Sequence, residues 1–136
     1  MIFNRLHHIG IILPTDEAVQ AFMAQYELEA AAEGETPYQA RCIFTKARDH
    51  ESPIEFLIPS GGPLQAFNEG KGGIHHICFE VEDIEQATKV LRSMGCKLLE
   101  DENKAAAQGA KINFIRPSSS FGVLVELIEL PGAQAK

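Results

Sequence analysis

Along the chain, short stretches of alternating or nearly continuous apolar residues recur half a length apart. His7-His8-Ile9-Gly10-Ile11-Ile12-Leu13 resembles His75-His76-Ile77-Cys78-Phe79-Glu80-Val81, offset by 68 residues. Each copy leads into an acidic helix start, Pro14-Thr15-Asp16-Glu17 in one half and Glu82-Asp83-Ile84-Glu85 in the other. After the second start, Ile84, Ala87, Val90, Leu91 and Met94 fall on one helical stripe, and Gly95 stands where a helix C-cap is expected. The first helix repeats the stripe more weakly, with Ala18, Val19, Phe22 and Tyr26.

Three further strands are predicted in each half, near 28–33, 39–45 and 53–58, then near 97–101, 110–116 and 122–128. The order β-α-β-β-β therefore occurs twice, as expected of an α+β fold made by duplication. One domain over residues 1–136 is expected, with module 1 at about 5–58 and module 2 at about 74–130. The Gly- and Pro-rich segment 59–73 reads as their linker, with one short helical turn over 64–68. The small, polar tail after Leu130 is expected to fray.

Strand parity then sorts the polar residues, because successive side chains point to opposite faces. Ile77, Phe79 and Val81 share one apolar row suited to packing under a helix, and His76, Cys78 and Glu80 share the other. The same parity puts Ile9, Ile11 and Leu13 opposite His8, Gly10 and Ile12. His8 and His76 thus hold the same place on equivalent strands. In the last strand of each half a single carboxylate interrupts an aliphatic run, Glu55 in Pro53–Ile58 and Glu126 in Gly122–Ile128. The two carboxylates are 71 residues apart, so a three-residue insertion in the second half brings them into register with the histidines.

A carboxylate buried alone costs several kcal/mol or takes up a proton. Two carboxylates and two imidazoles related by a repeat are better explained by a shared divalent cation, and the donor set suits Co, Ni, Zn, Mn or Fe. Singly, each histidine is more simply a core or rim residue, and Glu126 an edge carboxylate in water; it is the matched arrangement that raises the metal reading. His7 and His75 fall on the helix side and are expected to be structural.

Composition narrows the partners. The net charge of −7 supplies no clustered Lys/Arg footprint for nucleic acid, though an anionic small substrate remains compatible. The three cysteines, Cys42, Cys78 and Cys96, have no CxxC spacing and are expected to be reduced thiols in a cytoplasmic protein. No apolar run reaches membrane-spanning length and no leader-like segment opens the chain, so no membrane partner is expected. There is no GxGxxG or P-loop.

With these residues in view, the chain resembles the vicinal oxygen chelate superfamily, the glyoxalase and bleomycin-resistance fold, from Leu6 to Leu130. Within it, the chain most resembles the methylmalonyl-CoA epimerase family. The motifs that carry the likeness are Leu6-His7-His8-Ile9-Gly10-Ile11, Pro53-Ile54-Glu55-Phe56-Leu57-Ile58-Pro59, Gly73–Val81, Gly109–Pro117 and Gly122–Leu127. The resemblance implies two βαβββ modules forming a curved mixed sheet around a metal cleft. It implies His8, Glu55, His76 and Glu126 as ligands of one divalent metal, and proton removal next to a thioester carbonyl with Glu126 as catalytic base. Arg116, Asn113 and Ser118 fall where an acyl-CoA or carboxylate is expected to be held.

Three departures bear on that implication. The strand matching residues 39–45 has Arg41, Cys42 and Ile43 and no carboxylate, although epimerases of this type can carry a second acid there. The family's His before Pro is Arg116 and the following Lys is Ser118. The usual Gly-Gly before the last strand is Phe121-Gly122. A glyoxalase I-type lactoylglutathione lyase is the alternative enzyme, and a non-catalytic small-molecule binder the alternative outside catalysis; relatives that only bind generally lack the four ligands. A homodimer is expected from the resemblance alone.

Overall fold

The computed structural model describes residues 2–133; residues 134–136, the end of the tail expected to fray, lie outside it. The elements run β1 (Arg5–Ile12), α1 (Asp16–Gln25), β2 (Ala30–Glu35), β3 (Ala40–Thr45), β4 (Ile54–Pro59), α2 (Gly62–Ala66), β5 (Gly73–Glu80), α3 (Ile84–Ser93), β6 (Lys104–Ala105), β7 (Lys111–Ile115) and β8 (Val125–Glu129). Two compact units divide the chain: His8–His75, and the residues before His8 together with those from His76 onward.

Both long helices start as their sequences demand. The Thr15 and Asp83 side chains accept hydrogen bonds from the backbone N–H groups of Ala18 and Gln86, each at 3.1 Å. Each cap satisfies one of the four N–H groups that a helix start leaves without a partner. Helix α3 ends in a left-handed Gly95 (φ +87°), with Gly95 N–H donating to Arg92 and Cys96 N–H to Leu91. The expected C-cap is thus in place.

In the first unit the strand order is β2-β3-β4-β1, with β4 parallel to β1 and antiparallel to β3. Val19, Met23, Ile43 and Phe56 form its core under α1, joined by Ile11, Leu13, Phe22, Leu28, Ile54 and Ile58. A second apolar cluster, Ile12, Ala40, Cys42 and Leu57, covers the opposite face together with Phe44, Leu64 and Phe67. The other unit repeats the plan in the order β5-β8-β7-β6. Its core is Val81, Ile84, Ala87, Leu91, Ile115, Val125 and Leu127, with Ile77 and Phe79 packed against it. These are the rows that strand parity assigned to the helix side. The segment before β1 belongs to this unit: Phe3 stacks on Phe79 at 4.4 Å, Asn4 N–H donates to Glu80, and Arg5 pairs with the Glu80 carboxylate at 3.0 Å.

Two expectations fail for identifiable reasons. The strand near 97–101 is reduced to a single bridge, Leu98 to Ile115, and regular pairing resumes only at Lys104 with Ile112. Side chains have taken its backbone groups: Arg92 donates to the carbonyls of Glu100 and Asp101, and Asn113 holds both the N–H and the carbonyl of Glu100. Met94 is 68% exposed at the helix cap, and Thr88 occupies the buried stripe instead, its hydroxyl donating to the Ile84 carbonyl.

The linker carries α2 and then a tight segment, Phe67–Gly70, in which Asn68 and Glu69 both adopt left-handed backbone. Gly72 follows at φ +78°, so close to β1 that a Cβ there would lie 2.2 Å from the Ile12 carbonyl oxygen. Only glycine fits that approach. Among the described residues no helix is long and apolar enough to cross a membrane.

Candidate functional site

In the first unit the site is assembled by strand register. Glu55 lies on β4, between β1 and β3, opposite Gly10 on one side and Phe44 on the other. His8 is two residues before Gly10 and shares its face. Its Nε2 reaches Glu55 Oε1 at 3.3 Å. Both residues are buried, His8 at 1% and Glu55 at 8% exposure. The Phe44 ring stands edgewise to the His8 imidazole, 5.2 Å between centroids and 85° between planes.

The other unit builds the same constellation. Glu126 lies on β8, between β5 and β7, opposite Cys78 and Phe114. His76 Nε2 reaches Glu126 Oε1 at 3.0 Å, with exposures of 4% and 6%. Phe114 stands edgewise to the His76 imidazole at 5.6 Å and 86°. Each pair offers one imidazole nitrogen and one carboxylate oxygen, facing one another and withdrawn from water. An ionised carboxylate in such a place needs a positive or hydrogen-donating partner, since burial alone penalises it by several kcal/mol. The 71-residue spacing of the carboxylates is reconciled as the repeat requires: each glutamate pairs with the residue two beyond its histidine.

Sequence reasoning passed over the two phenylalanines. In each half, a phenylalanine occupies the strand preceding the glutamate strand, and the hairpin register sets it directly opposite the carboxylate.

The other expected site residues fall elsewhere. Asn113 is 0% exposed and opposes Leu127, on the helix side. Its amide donates to Glu100 O (3.0 Å) and Asn103 Oδ1 (2.9 Å) and accepts from the N–H groups of Glu100 (3.1 Å) and Phe114 (2.8 Å). With both hydrogens and both lone pairs used, it ties β7 to the segment around Glu100 and Asn103. Arg116 is exposed and braces the carbonyls of Leu98 and Leu99, at 3.2 and 3.5 Å, from the head of the 3-10 turn Pro117–Ser119. Ser118 is exposed on that turn.

On β3 the departure noted in the sequence has a structural counterpart. Arg41 opposes Ile58 and bonds Asp16 and, at 2.8 Å, Glu33. The Asp16 hydrogen bond raises the Arg41 guanidinium above its ordinary value. The Glu55 face of β3 carries Ala40, Cys42 and Phe44, with Cys42 only 2% exposed. Cys42, Cys78 and Cys96 are all free thiols. His75 is partly buried with its ring edgewise to Phe67 at 5.1 Å.

The family model described as the Glyoxalase/Bleomycin resistance protein/Dioxygenase superfamily matches residues 7–114. The ethylmalonyl-CoA/methylmalonyl-CoA epimerase of Cereibacter sphaeroides is 37% identical over 136 residues, covering 93% of this chain and 98% of that protein. The mitochondrial methylmalonyl-CoA epimerase of Dictyostelium discoideum is 33% identical, over 93% of this chain and 78% of its own. A Streptomyces coelicolor methylmalonyl-CoA epimerase variant, solved in complex with 2-nitronate-propionyl-CoA, superposes with a TM-score of 0.85 at 27% identity, over 95% of this chain and 99% of that one. The fold class is therefore the one the sequence motifs imply.

Proposed function

The chain belongs to the glyoxalase/bleomycin resistance protein/dioxygenase superfamily, and from that premise we propose that it is a divalent-metal-dependent epimerase acting on an acyl-CoA. Its reaction is removal and return of the proton on the carbon next to the thioester carbonyl. The observation that carries this reading is the duplicated pair: His8 with Glu55, and His76 with Glu126, buried and in matching register. Two imidazole nitrogens and two carboxylate oxygens are a donor set that fits a divalent first-row metal with positions left for substrate oxygens. Such a cation would supply Lewis-acid stabilisation of the negative charge that develops on the carbonyl oxygen.

The chain's own groups do the rest. His8, Glu55 and His76 act as ligands. Glu126 acts as ligand and as the base that takes the α-proton, a role open to a buried carboxylate held away from competing water. Polar groups of the substrate are assigned to Arg116 and Ser118, a role that their exposure around the Pro117–Ser119 turn supports. A carboxylate on β3 cannot be the second acid, because the Glu55 face of that strand holds Ala40, Cys42 and Phe44. The reading further takes the chain as a single domain, as a homodimer and as cytoplasmic, on the resemblance and the reduced thiols.

The test is proton NMR in D2O with the metal-loaded protein and methylmalonyl-CoA. We expect the α-proton signal to be lost and the two epimers to interconvert. A panel of Co, Ni, Zn, Mn and Fe that yields no exchange sinks the epimerase reading. Turnover of a thiol–ketoaldehyde adduct instead would move the chain to the glyoxalase I-type lyases.

A further inference from the structure

We infer that Phe44 and Phe114 are a matched pair of positioning residues that fix the two histidines for metal binding. The inference deepens, and rests on, the metal reading given above. In each unit the glutamate occupies the middle strand of three, the histidine one neighbour and the phenylalanine the other. The aromatic ring therefore spans the carboxylate strand to reach the imidazole. It meets it nearly perpendicularly both times, at 85° and 86°. The loops that join β3 to β4 and β7 to β8 differ in length, yet each delivers a phenylalanine opposite the glutamate.

An imidazole on a strand can rotate about its Cβ–Cγ bond over a broad, roughly twofold well. A ring packed at right angles blocks that swing while the carboxylate takes Nε2, at 3.3 Å in one unit and 3.0 Å in the other. What remains is a nitrogen already aimed where a cation would share it with the carboxylate. Hydrogen-bonding groups that orient metal ligands commonly account for about 10- to 100-fold in metal affinity, and an effect of that order is expected of the rings. Aliphatic side chains fill space equally well but have no plane to impose, so volume alone does not explain a phenylalanine in both copies.

The experiment is Co²⁺ titration of the full chain, followed by the d–d absorption spectrum, with thermal melts of the metal-free protein. The variants are Phe44→Leu, Phe114→Leu, Phe44→Tyr and, as a packing control, Phe22→Leu. Phe22 meets Phe56 edgewise at 5.2 Å in the core under α1, so its loss removes a similar contact on the face of β4 opposite Glu55. We expect Phe44→Leu and Phe114→Leu each to weaken Co²⁺ by about 10- to 100-fold and to alter the spectrum, and Phe22→Leu to change affinity by less than about threefold. Phe44→Tyr keeps the ring and should restore wild-type affinity. The inference falls if the two leucine variants bind Co²⁺ like Phe22→Leu, or if tyrosine fails to restore what leucine lost. A wild-type chain that binds no Co²⁺, Ni²⁺, Zn²⁺, Mn²⁺ or Fe²⁺ overturns the metal reading itself, and that result is read before any variant is made.

Discussion

Replacing Glu126 by glutamine separates chemistry from folding. Glu126 is 6% exposed, and its Oε1 lies 3.0 Å from His76 Nε2. Glutamine keeps the shape and one carbonyl oxygen in that place, but loses the charge and the ability to hold a proton. A positioned general base contributes about 10²- to 10⁴-fold, which corresponds to roughly 3–5 kcal/mol of barrier. Weakened ligation adds to that loss, so kcat/KM is expected to fall by about 10³-fold or more. Stability should change little, because the amide keeps an oxygen facing His76 Nε2 while removing a charge whose desolvation opposes burial. The assay pairs epimerisation of methylmalonyl-CoA at saturating metal with melting of the metal-free variant. Activity within about tenfold of wild type, with metal content unchanged, refutes Glu126 as the base. A melting point lowered by more than about 10 °C in the metal-free variant would show instead that the carboxylate holds the fold.

Three other substitutions divide the roles. Glu55→Ala leaves His8 without its carboxylate, and is expected to weaken metal retention by more than about 100-fold in a chelator competition. His75→Ala loses the edgewise contact with Phe67, so melting should register about 0.5–1.5 kcal/mol while metal content stays at the wild-type level. Gly72→Ala places a methyl 2.2 Å from the Ile12 carbonyl at a left-handed backbone position; the conformation alone costs about 1–2 kcal/mol, and the clash adds to it, which calorimetry would detect as a lowered Tm.

How much of this was legible in the sequence depended on periodicity. The histidine and glutamate faces could be read because every strand involved turns one row of apolar residues to the core, such as Ile77, Phe79 and Val81, and a period of two then fixes where the polar residues go. The helix starts were legible because the acidic stretches at 14–17 and 82–85 are local signals, and Thr15 and Asp83 within them prove to be the caps. What was missed depends on long-range partners. The strand near 97–101 has suitable residues, but Arg92 and Asn113 claim its backbone from elsewhere in the chain. Asn113 entered only through the family resemblance; its four hydrogen bonds to a loop and to its own strand could not be seen without the fold. Phe44 and Phe114 were passed over because their meaning lies in which residue stands across the hairpin, and loop length alone does not set that register. Met94 obeys the helical period yet lies past the last turn, where the stripe meets water.

The central claim is that the two histidine–glutamate pairs serve a single cation. Isothermal titration of the metal-free chain with Co²⁺ tests it directly. One Co²⁺ per chain is the predicted stoichiometry, with Glu55→Ala and Glu126→Gln weakening that same event. Two independent sites per chain, each abolished by only one of the substitutions, would contradict the account, as would a wild-type chain that takes up no metal.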